Sequence, residues 1–353
     1  MLFSAKQKGF FVEYSPDAVF VARTSSPVAP MTVEAIRECP VGNEKALADA
    51  IEQLQPKKSP SGYLHAVCGV YPPKRLVRRV TLEPKRLKDP DYFNEVISQQ
   101  LRVEPENYAT VVIHANDGTD FDVTRPSPQK DVLFGGMANE AIQETQNSLL
   151  EDGFFPERLE IGSLSSLGAL VSYLAQKNDK TPTLVLEVGA DVTHSYIVTS
   201  AGVEASRPIP QGFESMVPVV QKELGLKDEE SARKLFFSNT FDFTGMGPTL
   251  IKKLMKELQS SIGFYEVQTG QSVGLLHTML LPPKLAWLNT ALANGLGVGS
   301  LEIDFTAWLG SRNVTLSESV QSSIDTRWFG LCSLMINHNA VTTETDAVAQ
   351  KED

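Results

Sequence analysis

The sequence predicts an α/β protein of two lobes, with a small α/β subdomain inserted into the first. Three observations carry that expectation. At 353 residues the chain exceeds the size at which one hydrophobic core keeps growing. The amino-terminal segment and the segment opening the second half each read as strand, turn and strand. Between them, from Tyr63 to about Leu150, short strands alternate with two helical patterns.

The elements follow in order. Gly9 to Tyr14 and Ala18 to Ala22 read as strands, and Asn43 to Leu54 as a helix with Leu47, Ala50, Ile51 and Leu54 at helical spacing, stopped by Pro56. Residues 57–62 read as a linker from their Pro, Ser and Gly content. In the insertion, strands are expected at Leu64 to Val70, Leu76 to Leu82, Ala109 to Ala115 and Asp131 to Phe134. Its helices begin near Asp91, with Phe93, Val96, Ile97 and Leu101 inward, and at Asn139. A strand and helix over Leu159 to Leu174 return to the first lobe. The second half then opens with strands at Thr183 to Val188, His194 to Thr199 and Val203 to Ile209, around the tight turn at Ala201-Gly202. The helix from Thr249 to Tyr265 places Ile251, Leu254, Leu258, Ile262 and Tyr265 on one core stripe, and Ser319 to Ile336 is a last helical pattern. The expected division is therefore 1–62 first lobe, 63–150 insertion, 151–180 return, 181–310 second lobe, 311–340 a helix packing back on the first lobe, and 341–353 a disordered tail.

Composition narrows the function classes. Hydrophobic content of 42% and charged content of 21% argue against disorder and against a membrane-embedded chain. A net charge of -11 opposes nucleic-acid partners. The basic run Lys74 to Arg79 reads as a solvated strand face. Cys39, Cys68 and Cys332 lie far apart, as buried thiols of a reducing compartment do. The amino terminus lacks the pattern of a signal peptide, and no run reaches the roughly 18 apolar residues of a membrane helix. A cytoplasmic location is expected, with any membrane role exerted through partners. The five histidines show no metal-ligand spacing. Asp117 to Asp122 reads as a hairpin turn, and Gly295 to Ser300 as a helix cap.

Two runs carry a resemblance. Val185-Leu-Glu-Val-Gly-Ala-Asp-Val-Thr-His-Ser-Tyr-Ile-Val198 resembles the second phosphate motif of the actin-like superfamily. The order Arg207-Pro-Ile-Pro-Gln-Gly212, Glu223-Leu-Gly-Leu226 and Asp228-Glu-Glu230 resembles the PilM family of type IV pilus machinery in particular. So do Asp131 to Glu140, Leu149 to Pro156 and Ser166 to Leu170. The resemblance spans about Gly9 to Leu309 and implies an actin-like, ribonuclease H-like fold.

The same resemblance implies a nucleotide site, and the residues at its motifs are altered. Where the family's first phosphate motif reads approximately Asp-Ile-Gly-Ser-Ser-Ser, this chain has Glu13-Tyr-Ser-Pro-Asp-Ala18. The carboxylate is longer, Ser15 replaces glycine and Pro16 removes an N–H donor. The second motif keeps Gly189, Ala190 and Thr193, with Glu187 in place of aspartate. The adenine side, a glycine pair in relatives, is Met279-Leu-Leu-Pro-Pro-Lys284, and the ribose contacts fall near Arg233 and Phe236. Between the lobes, Glu160 and Gly162 occupy the linking positions. Glu13, Ser15, Glu187, Gly189, Ala190 and Thr193 are thus the candidate nucleotide residues of a degenerate site. No cofactor is expected, and ATP with magnesium is expected to bind weakly if at all.

In function, the resemblance implies a scaffold of a pilus or related secretion platform. Its partner would be the amino-terminal cytoplasmic peptide of a PilN-like bitopic membrane protein, held between the inserted subdomain and the first lobe. Tyr92, Phe93, Tyr108 and Phe121 are groove candidates, with core packing as their alternative role. Other platform components and a homo-oligomer are further partner expectations. The GspL fusion type carries a membrane helix after this domain, and the free-standing type is expected here. The competing reading is an active actin-like ATPase or sugar-kinase-like phosphotransferase whose unusual residues rebuild the site.

Overall fold

The computed structural model describes residues 7–55, 61–122, 124, 130–238 and 240–336. The chain forms two compact units, Met1–Tyr173 with Ile303–Asp353, and Leu174–Glu302.

In the first unit, β1 (Gly9–Tyr14), β2 (Ala18–Thr24) and β3 (Met31–Pro40) form an antiparallel meander. The ten-residue β3 escaped the sequence reading because Pro30 precedes it and Glu34, Arg37 and Glu38 break its apolar pattern. Helix α1 (Glu44–Leu54) is capped by Asn43, whose side chain accepts from the Ala46 N–H at 3.1 Å, and it buries Leu47, Ala50 and Leu54. Strand β4 (Leu64–Val70) pairs parallel with β1. The sequence placed it in the insertion, but it is buried along both faces as a central parallel strand must be, and it belongs to the main sheet.

The inserted subdomain is a three-stranded sheet of β5 (Leu76–Thr81), β6 (Tyr108–His114) and β7 (Asp131–Ala138), with β7 central. Against one face packs α2 (Tyr92–Glu95), continued by a π turn over Val96–Gln100, burying Tyr92, Val96, Ile97 and Leu101. The expected end of β7 at Phe134 was a misreading of Gly135 and Gly136. These continue the strand, and a Cβ on Gly135 would overlap Leu164. Helix α3 (Asn139–Glu151) leads to β8 (Phe154–Ile161), which pairs parallel with β4, and then to α4 (Gly162–Lys177).

The second unit repeats the plan. β9 (Thr183–Val188), β10 (Thr193–Thr199) and β11 (Gly202–Ile209) form the meander, and β12 (Leu275–Met279) and β13 (Gly299–Ser300) extend the sheet in parallel. Helices α5 (Val217–Leu224), α6 (Glu229–Phe236), α7 (Gly247–Leu250), α8 (Lys252–Thr269) and α9 (Trp287–Leu296) pack on the face bearing Leu184, Leu186 and Ile197. Gly297, at φ +70°, ends α9 as a left-handed cap.

The chain then rejoins the first unit, and here the expected single helix over 311–340 is replaced by several pieces. α10 (Phe305–Gly310) precedes β14 (Val314–Leu316), which pairs parallel with β3, and α11 (Glu318–Gln321) follows. A helix over 329–336 closes the described chain. Trp308 stacks on Phe329 at 5.1 Å, so residues 303–310 pack with the first unit, and not with the second as the sequence division had them. The tail expected at 341–353 lies outside the described residues, as do residues 57–60 of the linker.

Candidate functional site

The first strand turn is closed from within. Ser15 donates its N–H to the Ala18 carbonyl at 2.9 Å and its hydroxyl to the same oxygen at 2.8 Å. The Ser15 oxygen also accepts the Ala18 N–H at 3.1 Å. Pro16 brings no donor. The Ser15 N–H and hydroxyl and the Ala18 N–H are therefore engaged inside the turn.

Glu13 is 1% exposed. Tyr71 donates its hydroxyl to Glu13 Oε1 at 2.8 Å, and the Leu331 N–H supplies a second bond. Gly330 lies so close that a Cβ there would overlap the carboxyl, and Gly162 is similarly tight against the Tyr71 ring. Burial pushes the Glu13 carboxyl up to about 7, against the two hydrogen bonds, which favour its ionised form. Tyr71, Gly330 and Leu331 were invisible as site residues in the sequence. They join Glu13 from 58 residues away in one case, and from the far end of the chain in the others.

The second strand turn is closed by a neighbouring loop. Gly189 donates to Val192 O at 3.0 Å, while its own carbonyl accepts from Phe213 N at 2.9 Å and the Ala190 carbonyl accepts from Glu214 N at 2.9 Å. Thr193 spends its hydroxyl on the Gln211 carbonyl at 2.6 Å. Gly212 makes this closure fit, since a Cβ there would overlap both carbonyls. Glu187, 2% exposed, sits opposite His194 in β10 and Met279 in β12. It therefore shares a sheet face with Tyr196 and His277. Burial pushes the His277 imidazole down to about 4, so it is neutral at physiological pH.

The residues expected near a base and ribose make contacts within the second unit. Arg233 forms an ion pair with Glu214, Phe236 is a core residue in ring contact with Phe213, Phe237, Phe243 and Trp287, and Lys284 lies over the Phe237 ring at 5.8 Å. Leu280 adopts φ +58°, a left-handed backbone that glycine takes without strain and leucine does not. Glu160, expected between the lobes, lies on β8 beside β4 in the first unit's sheet, where it accepts from Ser165 and pairs with Arg158 at 2.9 Å.

Of the groove candidates, Tyr92 is buried in the insertion core, while Phe93 and Phe121 pack partly buried against it. Tyr108 is half-buried on β6. On the opposite face of the inserted sheet the β6 residues Ala109 and Val111 are exposed, while Leu133, Gly135 and Met137 of β7 are buried. Cross-strand pairing puts Ala109, Val111 and Ile113 of β6 beside Met137, Gly135 and Leu133 of β7 on that face. Val111 is 53% exposed there, and Gly135 meets Leu164 of α4. Among the described residues, the outer edge of β6 pairs with residues 119–121 in its second half, where Phe121 N donates to Val112 O at 3.0 Å and His114 N to Thr119 O at 2.8 Å.

The strand order meander third, second, first, then two parallel strands occurs in both units, as β3-β2-β1-β4-β8 and β11-β10-β9-β12-β13. That repeated plan, with a subdomain inserted into the first copy, makes this an actin-like fold. No protein-family model and no curated sequence matches the chain. Among solved structures, a PilM–PilN type IV pilus biogenesis complex matches at TM-score 0.61 and 18% identity, over 95% of this chain and 98% of that one. The fold is PilM-like. A Bacteroides thetaiotaomicron protein with an actin-like ATPase fold and unknown function gives TM-score 0.41 at 11% identity, covering 86% and 93%. The cytoplasmic domain of EpsL, an inner membrane component of the Vibrio cholerae type II secretion system, gives 0.40 at 10%, covering 95% of each. Among the described residues no helix is long and apolar enough to cross a membrane.

Proposed function

We propose that this protein is a cytoplasmic adaptor of a type IV pilus or related secretion platform, which binds the amino-terminal tail of a PilN-like inner-membrane protein and does not hydrolyse ATP. The observation that carries this reading is the internal closure of the first turn, where Ser15 bonds only within the turn and Glu13 is held by Tyr71 and Leu331. A phosphate needs free N–H donors, and magnesium needs an accessible carboxylate.

The tail-binding part rests on the exposed β6 residues of the inserted sheet. An extended peptide adding to the first half of β6 would gain main-chain hydrogen bonds, and its apolar side chains would rest on Ala109 and Val111. The PilM–PilN complex of like fold supports a partner of that kind. The test is calorimetric titration of the full chain, with the amino-terminal cytoplasmic peptide of a PilN-like bitopic membrane protein and separately with Mg-ATP. Peptide heat that Val111→Glu weakens at least tenfold, with no ATP heat, is the expected result. Micromolar ATP binding with turnover would restore the ATPase reading, and peptide affinity indifferent to Val111→Glu would remove the proposed groove.

A further inference from the structure

The second unit carries a helix face that its own core leaves unused. Helix α8 buries Leu254, Leu258 and Tyr265. About half a turn round the helix, Lys253, Lys256, Ser260, Phe264 and Val267 are all exposed, in a stripe roughly 80° wide at 3.6 residues per turn. Phe264 is 66% and Val267 88% exposed, an unfavourable setting for large apolar side chains.

Two further features of this face also weaken the isolated unit. The first turn of α8 holds Lys252 and Lys253 and no carboxylate, although a helix amino terminus disfavours cations. Gly263 stands in the middle of the helix, where glycine is poorer than alanine. A Cβ on Gly263 would meet no atom within 4 Å, so nothing inside the chain requires its absence. Glu257, the nearest carboxylate along the helix, is already held by Arg207 at 2.8 Å and leaves the lysine charges standing.

We propose that this face docks an acidic amphipathic helix of a partner protein. The partner's apolar side chains cover Phe264 and Val267, its carboxylates meet Lys253 and Lys256, and its backbone crosses at Ser260 and Gly263. From Lys253 to Val267 the stripe is about 21 Å long at 1.5 Å per residue, the length of about 14 helical residues. Gly263 selects a helix over an anionic bilayer, because close approach of two backbones uses a missing side chain and a lipid surface does not. Phe264 and Val267 give apolar contact at one end and the lysines give charge at the other, which fixes the orientation of the bound helix.

Two experiments on the full chain test this. Thermal melting comes first: Gly263→Ala is expected to raise Tm by about 2 °C, and Val267→Gln to leave it within about 1 °C. A fall of several degrees in either would assign these residues to the chain's own packing and overturn the proposal. Titration comes second, with a synthetic 18-residue helical peptide of leucines on one face and glutamates elsewhere, its lysine counterpart, its scramble, and phosphatidylglycerol vesicles. The acidic peptide is expected to bind, at least tenfold more weakly to Gly263→Leu and to the Lys253→Glu, Lys256→Glu pair, with the lysine and scrambled peptides inert. Failure of the acidic peptide to bind, equal binding of the scramble, or vesicle binding that ignores Gly263→Leu would each overturn it.

Discussion

In the first unit the strand turn is occupied by its own residues: Ser15 folds its donors back on Ala18, and Glu13 is held beneath it by a tyrosine and by the helix over 329–336. In the second unit the turn keeps its glycine, and what closes it is a separate loop, residues 211–214, bonding to the carbonyls of Gly189 and Ala190 and to the hydroxyl of Thr193. One turn is closed by residues within it, and the other is packed against by a separate loop.

The comparison makes three predictions. The largest effect is expected in the second unit. Gly212→Ala places a Cβ against two backbone carbonyls that cannot swing aside, and a loss of about 3 kcal/mol is expected in urea unfolding. A change below about 1 kcal/mol would mean that the loop yields and that the second turn is merely covered.

The next concerns Glu13, whose carboxyl is pushed by burial from the ordinary value of 4.5 up to about 7. The neutral acid suits the folded state, so its contribution is whole below about pH 4.5 and is lost as pH rises through about 7. The difference corresponds to about 3 kcal/mol. The buried His277 imidazole, pushed down to about 4, acts in the opposite sense up to its ordinary value near 6.5. The Glu13 contribution is therefore read as the difference in unfolding free energy between Glu13→Gln and the wild type, which should grow in favour of the variant by an amount of that order from pH 5 to 8. An unchanged pH profile in the variant would place the titration elsewhere and leave the first turn without its buried acid.

The smallest effect sharpens what closed the first turn. Pro16→Gly restores an N–H donor but leaves Ser15 bonded to Ala18, so no heat is expected on titration with Mg-ATP. Recovered binding would show that the proline alone had disabled the turn.

Much of this fold was legible because periodicity records burial. Thr183 to Val188 is apolar enough to fix a central strand, Asn43 marks the start of α1, and the order of short motifs after Gly189 pointed to an actin-like plan. β3 was hidden by its charged residues, and β4 was read into the wrong sheet because a strand's sequence does not name its neighbours. The altered residues at Glu13, Ser15 and Pro16 could be read directly as departures from a pattern.

By itself, then, the sequence determined which residues stand at the two turns and that the chain repeats a strand-turn-strand opening. Only the tertiary structure decided what those residues touch. Gly330 and Leu331 reach Glu13 across the whole first unit, and Gly212 reaches the second turn from the next loop. The reason is physical: hydrogen bonds and steric overlap depend on distances of a few ångströms in space, and folding sets these between residues whose separation along the chain carries no record of them.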